Sequence, residues 1–129
     1  MTVVVDASTI VAALVDPGPA GTWAESLLTL DLASPHLLPV EVASVLRRAA
    51  AVGDISDDVA SIAHADLSDL RVTLVPYDLV AQRVWDLRSN VTTYDAWYVA
   101  VAELLDAPLA TLDERLMAAP GPSCSFLRP

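Results

Sequence analysis

Short apolar runs alternate with longer stretches of helical periodicity, and that alternation restricts the fold of this chain more than any other feature. Val3-Val4-Val5 is apolar on both faces, as a strand inside a parallel sheet must be. Val72-Thr73-Leu74-Val75 and Pro108-Leu109-Ala110-Thr111-Leu112 read as further strands, with a last one over 123–127. Helical segments lie between them. Ser8 can cap a helix to about Val15, ended by Asp16-Pro17-Gly18-Pro19. A second helix runs from about Thr22 to Leu30, with Trp23, Leu27 and Leu30 on one face, and Ser34-Pro35 breaks it. A third begins at Pro39 and stops at Gly53, with Val42, Val45, Leu46 and Ala49 in one stripe. Ser56 opens a fourth, with Val59, Ile62, Ala63, Leu67 and Leu70 inward. Asp78 caps a helix to about Leu87. Thr92 or Thr93 caps another to Leu105, apolar nearly all round and therefore central. A short helix follows from Asp113 to about Ala118. This order predicts an α/β fold, a three-layer α/β/α domain with a central parallel sheet. A length of 129 residues fits a single domain over 1–129.

Composition removes several function classes. Net charge is −10, from 17 acids against 7 basic residues, and every basic residue is arginine. That is the wrong sign for a broad basic face gripping nucleic acid. A nucleic-acid substrate must then be held locally, by metal ions and a few arginines. The absence of lysine argues against a phosphoacceptor receiver domain and against a haloacid-dehalogenase-type phosphatase. The latter also wants an acid two residues after Asp6, where Ser8 stands. Four glycines form no phosphate-binding loop. The single Cys124 cannot make an internal disulfide and reads as a small buried hydrophobe in a reducing compartment. No apolar run is long enough to cross a bilayer, and Asp6 interrupts the first apolar stretch without a basic segment before it. A cytoplasmic protein with no membrane association is expected.

Four acids occupy related places. Asp6 and Asp113 each follow a strand-like run, and Glu41 and Asp95 each fall in the first turn of a helix. In open α/β sheets ligands bind beyond the carboxyl ends of the strands, where acids so placed can converge. Converged carboxylates repel, by roughly 4 kcal/mol per pair at about 4 Å and an effective dielectric near 20. Such a cluster needs a cation or protons, so a divalent-metal site is the leading hypothesis. Each acid also has an ordinary helical explanation. Thr92-Thr93-Tyr94-Asp95 reads as a capping box, Glu41 as a favourable charge near a helix N-terminus, and Asp113 as an N-cap. Asp6 is hardest to explain that way, because an acid ending a buried strand must be paired or coordinated.

With these acids placed, the chain resembles the PIN-domain ribonucleases, and more narrowly the VapC-type toxins of bacterial toxin–antitoxin pairs. The matching segments are Val4-Val5-Asp6-Ala7-Ser8, then Pro39-Val40-Glu41-Val42-Ala43-Ser44-Val45-Leu46-Arg47-Arg48. Thr93-Tyr94-Asp95-Ala96-Trp97-Tyr98-Val99-Ala100-Val101-Ala102-Glu103 and Ala110-Thr111-Leu112-Asp113 follow in order. Family members often carry Asn where Ser44 stands, and a fifth acid shortly after the fourth, where Glu114 is adjacent.

The resemblance implies a Mg²⁺- or Mn²⁺-dependent endoribonuclease that hydrolyses RNA to 5′-phosphate and 3′-OH ends. It assigns Asp6 and Asp95 as direct metal ligands and Asp113 as a direct or water-mediated one. Glu41 is then a ligand to a second metal or a base orienting the attacking water. Ser8 and Thr111 would orient carboxylates or metal waters. The same resemblance, together with the acidic charge, implies a small basic antitoxin as inhibitor. Homodimerisation rests on the resemblance alone. The exposed apolar surface expected around Trp23 and Leu27 would serve either contact. The rival reading is a catalytically silent PIN-like interaction module whose acids are only structural.

Other residues carry weaker signals. His36 and His64 lack metal-ligand spacing. Trp23, Trp85 and Trp97 read as core, with Trp97 alone near enough to Asp95 to line the site. Arg47, Arg48 and Arg115 are either solvated helix charges or contacts to substrate phosphate.

Overall fold

The computed structural model describes residues 1–129 and shows the expected alternation as a five-stranded parallel sheet in the order β3-β2-β1-β4-β5. The strands are β1 (Thr2–Val5), β2 (Asp31–Pro35), β3 (Val72–Val75), β4 (Leu109–Ala110) and β5 (Phe126–Leu127). The helices are α1 (Ala7–Val15), α2 (Pro19–Leu27), α3 (Leu38–Ala51), α4 (Asp57–Asp69), α5 (Ala81–Asp86), α6 (Thr93–Leu105) and α7 (Glu114–Ala118). A 3₁₀ turn, Tyr77–Leu79, precedes α5.

Two connections step from β1 to β2 to β3, and the third crosses back to β4 on the other side of β1. With right-handed crossovers this puts the helices on opposite faces. Accordingly α1 packs on α2, α3 and α4, while α5 packs on α6 and α6 lies across β1, β2 and β4. The molecule is therefore a three-layer α/β/α fold. Val3, Val4 and Val5 are fully buried because β1 is covered on both faces and flanked by two strands. Helix α6 is central as expected: Ala96 and every residue over 98–102 are buried.

The third helix also follows its pattern. Pro39 lies in the first turn, Val42 and Leu46 are buried, and Gly53 follows the end at φ +83°.

Several expectations fail in instructive ways. The break placed at Ser34-Pro35 is strand β2, paired on both sides, and α2 ends earlier, at Leu27. This segment has no β-branched residue, so its strand character is tertiary. The fully buried Ser34 hydroxyl donates to the Val5 carbonyl at 2.8 Å, and Leu32 and Ala33 fill the core. On α4, Ala63 and Leu67 face inward, but Ile62 is 63% exposed and Val59 is exposed too. Asp78 caps no helix: it sits in the 3₁₀ turn, and α5 starts at Ala81. Leu27 belongs to the core and Trp23 packs against it, so no exposed apolar patch forms around them. Trp85 is 61% exposed, with the Arg88 guanidinium stacked 4.5 Å from its ring centre.

Candidate active site

The sheet changes direction between β1 and β4, since β1 leads to β2 on one side and β4 to β5 on the other. That reversal is the topological switch point, where the strand ends leave a crevice. Asp6 leaves β1 there and caps α1, and Asp113 follows β4 and caps α7. Strand β2, missed in the sequence, brings the N-terminus of α3 and hence Glu41 to the same edge. Asp95 enters from the other helical layer, in the first turn of α6. All four acids therefore rise at one edge of the sheet.

Asp6 is the most constrained of them, at 8% exposure. Its Oδ1 accepts from the Ser8 hydroxyl at 2.7 Å and from the Thr9 amide at 3.0 Å, and its Oδ2 accepts from the Thr111 hydroxyl. Ser8 and Thr111 each accept a backbone amide in return, from Leu112 at 3.1 Å and Asp113 at 3.0 Å. The two hydroxyls thus bolt the β1–α1 turn to the β4–α7 turn around one carboxylate. Three of its roughly four lone-pair sites are taken, which leaves one facing the edge. Thr9 carries no mark of this role in the sequence, yet its buried hydroxyl donates to the Ala110 carbonyl at 2.9 Å and fixes the same seam.

Asp113 spends Oδ1 on the amides of Arg115 and Leu116, so its N-cap role is real, and it leaves Oδ2 unbonded. Asp95 is half-buried. Thr92 caps its amide at 3.2 Å, but no bond returns from the Thr92 amide to the Asp95 carboxylate, so only half of a capping box forms. Glu41 is half-buried and makes no hydrogen bond of good geometry.

Three of the four carboxyls are shifted upward. Burial raises the Asp6 carboxyl above its ordinary range, against the opposing pull of Ser8, Thr111 and Thr9. Burial also raises Glu41, and the charges of Asp95 and Asp6 add to that rise. Asp95 is raised by burial and then by Asp113 and Asp6. These couplings show that the four acids sense one another. No arginine answers them: the molecule's one ion pair, Arg83–Glu103, does not involve them.

A divalent cation suits this donor set. Carboxylate and hydroxyl oxygens are the hard ligands that Mg²⁺ or Mn²⁺ prefers, and the uncompensated charge has the right sign. No three acidic, histidine or cysteine side chains are already drawn into a closed cage. Mg²⁺ does not require one, because it commonly keeps several waters and uses one or two carboxylates.

The sequence reading also overlooked Tyr98, three residues beyond Asp95. Its hydroxyl is buried and unbonded, close to Glu41 but short of a formed hydrogen bond. A single polar tip on the otherwise aliphatic buried face of α6 was the available signal. Trp97 is half-buried and packs edge-to-face on Tyr77, with ring centres 5.4 Å apart. The Cys124 thiol is pushed up to about 11 by burial, as suits an inert side chain. The largest cavity, about 570 Å³, lies elsewhere, between α3 and α4, lined by Leu46, Arg47, Ala50 and His64 among others. It holds none of the four acids.

The family model for the PIN domain matches residues 3–121. The chain belongs to the PIN-domain family, among the VapC-type ribonucleases. Ribonuclease VapC1 of Mycobacterium tuberculosis is 43% identical over 125 residues, covering 95% of this chain and 94% of that protein. Ribonuclease VapC9 of the same organism is 39% identical over 115 residues, covering 88% and 87%. Among solved structures, PAE2754 from Pyrobaculum aerophilum superimposes with a TM-score of 0.72 at 25% identity, over 99% of this chain and 89% of that one. No helix of this PIN domain is long and apolar enough to cross a membrane.

Proposed function

We propose that this PIN domain is a metal-dependent endoribonuclease toxin that hydrolyses RNA phosphodiester bonds. One observation carries the reading. Four acids from both helical layers rise at the switch point of the sheet, three of them, Asp6, Glu41 and Asp95, with raised carboxyls, and none is paired with an arginine. The names of VapC1 and VapC9, both ribonucleases, support RNA as the substrate.

When bound, Mg²⁺ or Mn²⁺ supplies Lewis acidity, making water more acidic and offsetting charge on the phosphate. The chain's residues do the rest. Asp6, held rigid by Ser8, Thr9 and Thr111, and Asp95, presented by α6, would hold the ion. Asp113 would reach it, directly or through water, with its unbonded oxygen. Glu41 either holds a second ion or takes a proton from the attacking water. Arg115, exposed in the first turn of α7, stands beside Asp113 and can meet a substrate phosphate. The RNA 2′-hydroxyl takes no part, so the products carry 5′-phosphate and 3′-OH ends.

A small basic antitoxin is the proposed inhibitor, supported by the charge of −10 and by the VapC kinship. A second copy of the chain is the proposed dimer partner. The competing reading, a silent interaction module, draws on the absence of a closed ligand cage. Incubation of bulk RNA with Mg²⁺ or Mn²⁺ separates the two. The enzyme reading expects cleavage that chelator or Asp6→Asn abolishes. Cleavage indifferent to both would remove the metal mechanism, and no cleavage under any condition would favour the silent module.

A further inference from the structure

Two buried polar side-chain atoms lack hydrogen-bond partners, the indole nitrogen of Trp97 and the hydroxyl of Tyr98. The second is the more telling, because Tyr98 is only 2% exposed. A hydroxyl taken out of water without a partner opposes folding, and phenylalanine would fill the same space without that cost. Packing therefore explains the ring but not the oxygen.

Its position supplies a reason. Tyr98 follows Asp95 by one helical turn on α6, so both side chains share the face turned to the site. Its hydroxyl lies beside Glu41, which arrives on α3 from the opposite helical layer. A phenol keeps its proton at neutral pH and is then a hydrogen-bond donor. Glu41, with no other hydrogen bond, is free to turn toward it.

We propose that Tyr98 is a positioning residue whose hydroxyl donates to the Glu41 carboxylate and fixes that carboxylate toward the divalent ion and the attacking water. The proposal rests on the metal-site reading above. Tyr98 touches neither RNA nor ion and acts through Glu41 alone.

The test compares wild type, Tyr98→Phe, Glu41→Gln and the double variant as full-length proteins. Two readouts are taken: the rise in melting temperature on moving from chelator to Mn²⁺, and the rate of RNA cleavage. In chelator, Tyr98→Phe should melt at or above the wild-type temperature, because it removes an unsatisfied hydroxyl. With Mn²⁺ its temperature rise should fall to less than half of wild type, and cleavage should drop about 10–100-fold, the usual range for an outer partner of a metal ligand. On the Glu41→Gln background the same substitution should change neither readout, since the two residues act as one unit. A Tyr98→Phe protein with the full Mn²⁺ rise and wild-type cleavage overturns the proposal. So does one that melts lower in chelator yet keeps its Mn²⁺ rise, or one whose effects add to those of Glu41→Gln. A wild-type protein without any Mn²⁺ response overturns the metal reading itself, and this inference with it.

Discussion

Two charged clusters of this molecule are built in opposite ways. Arg83 on α5 donates from Nε and Nη2 to the two carboxylate oxygens of Glu103, at 2.6 and 3.2 Å. Nη2 also reaches the Gly121 carbonyl at 2.9 Å, and the Ser123 amide donates to Glu103 at 2.8 Å. Every charge there has a partner, and the pair ties α5, α6 and the C-terminal segment together. About 12 Å back along α6, at eight residues of 1.5 Å rise, Asp95 joins three other acids that have no such partner. Burial would raise the Glu103 carboxyl, but the Arg83 and Ser123 bonds and the Arg83 charge hold it below its ordinary range. Burial holds Asp6 above its ordinary range, and burial together with repulsion from neighbouring acids holds Glu41 and Asp95 above theirs. One half-buried carboxylate is thus neutralised by a basic side chain, while the four acids at the switch point have none paired with them. The first cluster stabilises the chain; the second stores repulsion that a cation can relieve.

Substitutions sharpen this contrast. Asp6→Asn should have the largest effect: RNA cleavage falls by more than about 100-fold, beyond the loss typical of an outer partner. Its metal-free melting temperature at neutral pH should nevertheless rise, since a buried charge without a counter-ion is gone. Thermal melting in chelator beside a cleavage assay checks both, and a lower melting temperature would break the contrast. Next, Ser8→Ala and Thr111→Val should each cost about 10–100-fold in cleavage by freeing Asp6 to rotate. Titration of activity with Mn²⁺ should show the loss as weaker metal dependence.

Arg83→Ala belongs to the other cluster and should show the reverse pattern. It leaves Glu103 half-buried and alone, at a cost of about 1–2 kcal/mol, moderated because the Arg83 side chain is 36% exposed. Denaturant unfolding should register that loss while cleavage per folded molecule stays unchanged. The pH dependence of stability in chelator carries opposite signs for the two clusters. The lowered Glu103 carboxyl stabilises above the ordinary carboxylate range, and that support disappears as pH falls through its lowered value. The raised site carboxyls stabilise at acid pH, and that support disappears as pH rises through their raised values. Arg83→Ala should therefore weaken the loss of stability at low pH, and Asp6→Asn should weaken the loss toward neutral pH. The smallest effect belongs to Arg88→Ala, which removes an exposed stack on Trp85 and an exposed hydrogen bond from Nη1 to the Trp85 carbonyl at 2.9 Å, together worth about 1 kcal/mol by unfolding.

Much of this arrangement was legible in the sequence where local chemistry decides it. Val3-Val4-Val5 ending in Asp6 marks a buried strand whose carboxyl end carries an acid, and the structure places it so. Ser8 donates to Asp6 from two residues away; Thr111 donates to it across 105 residues, a pairing that only the family resemblance suggested. Legibility ended where distant contacts decide. Strand β2 has no strand-forming residues of its own, so the reason for Glu41 to stand beside Asp6 was hidden until pairing with β1 and β3 was seen. Thr9 and Tyr98 carry ordinary side chains whose meaning comes only from what lies across the seam. Ile62 and Trp85 read as core because they are large and apolar, yet each lies on the outer side of its helix.

The most direct test is anomalous diffraction from a crystal of this protein soaked in Mn²⁺. A metal at the switch point would give an anomalous peak about 2.0–2.2 Å from carboxylate oxygens of Asp6 and Asp95, with Asp113 or Glu41 within reach through water. Crystals of a protein that cleaves RNA, with manganese found only at other acids such as Asp57 and Asp58 and none at Asp6, would contradict this placement.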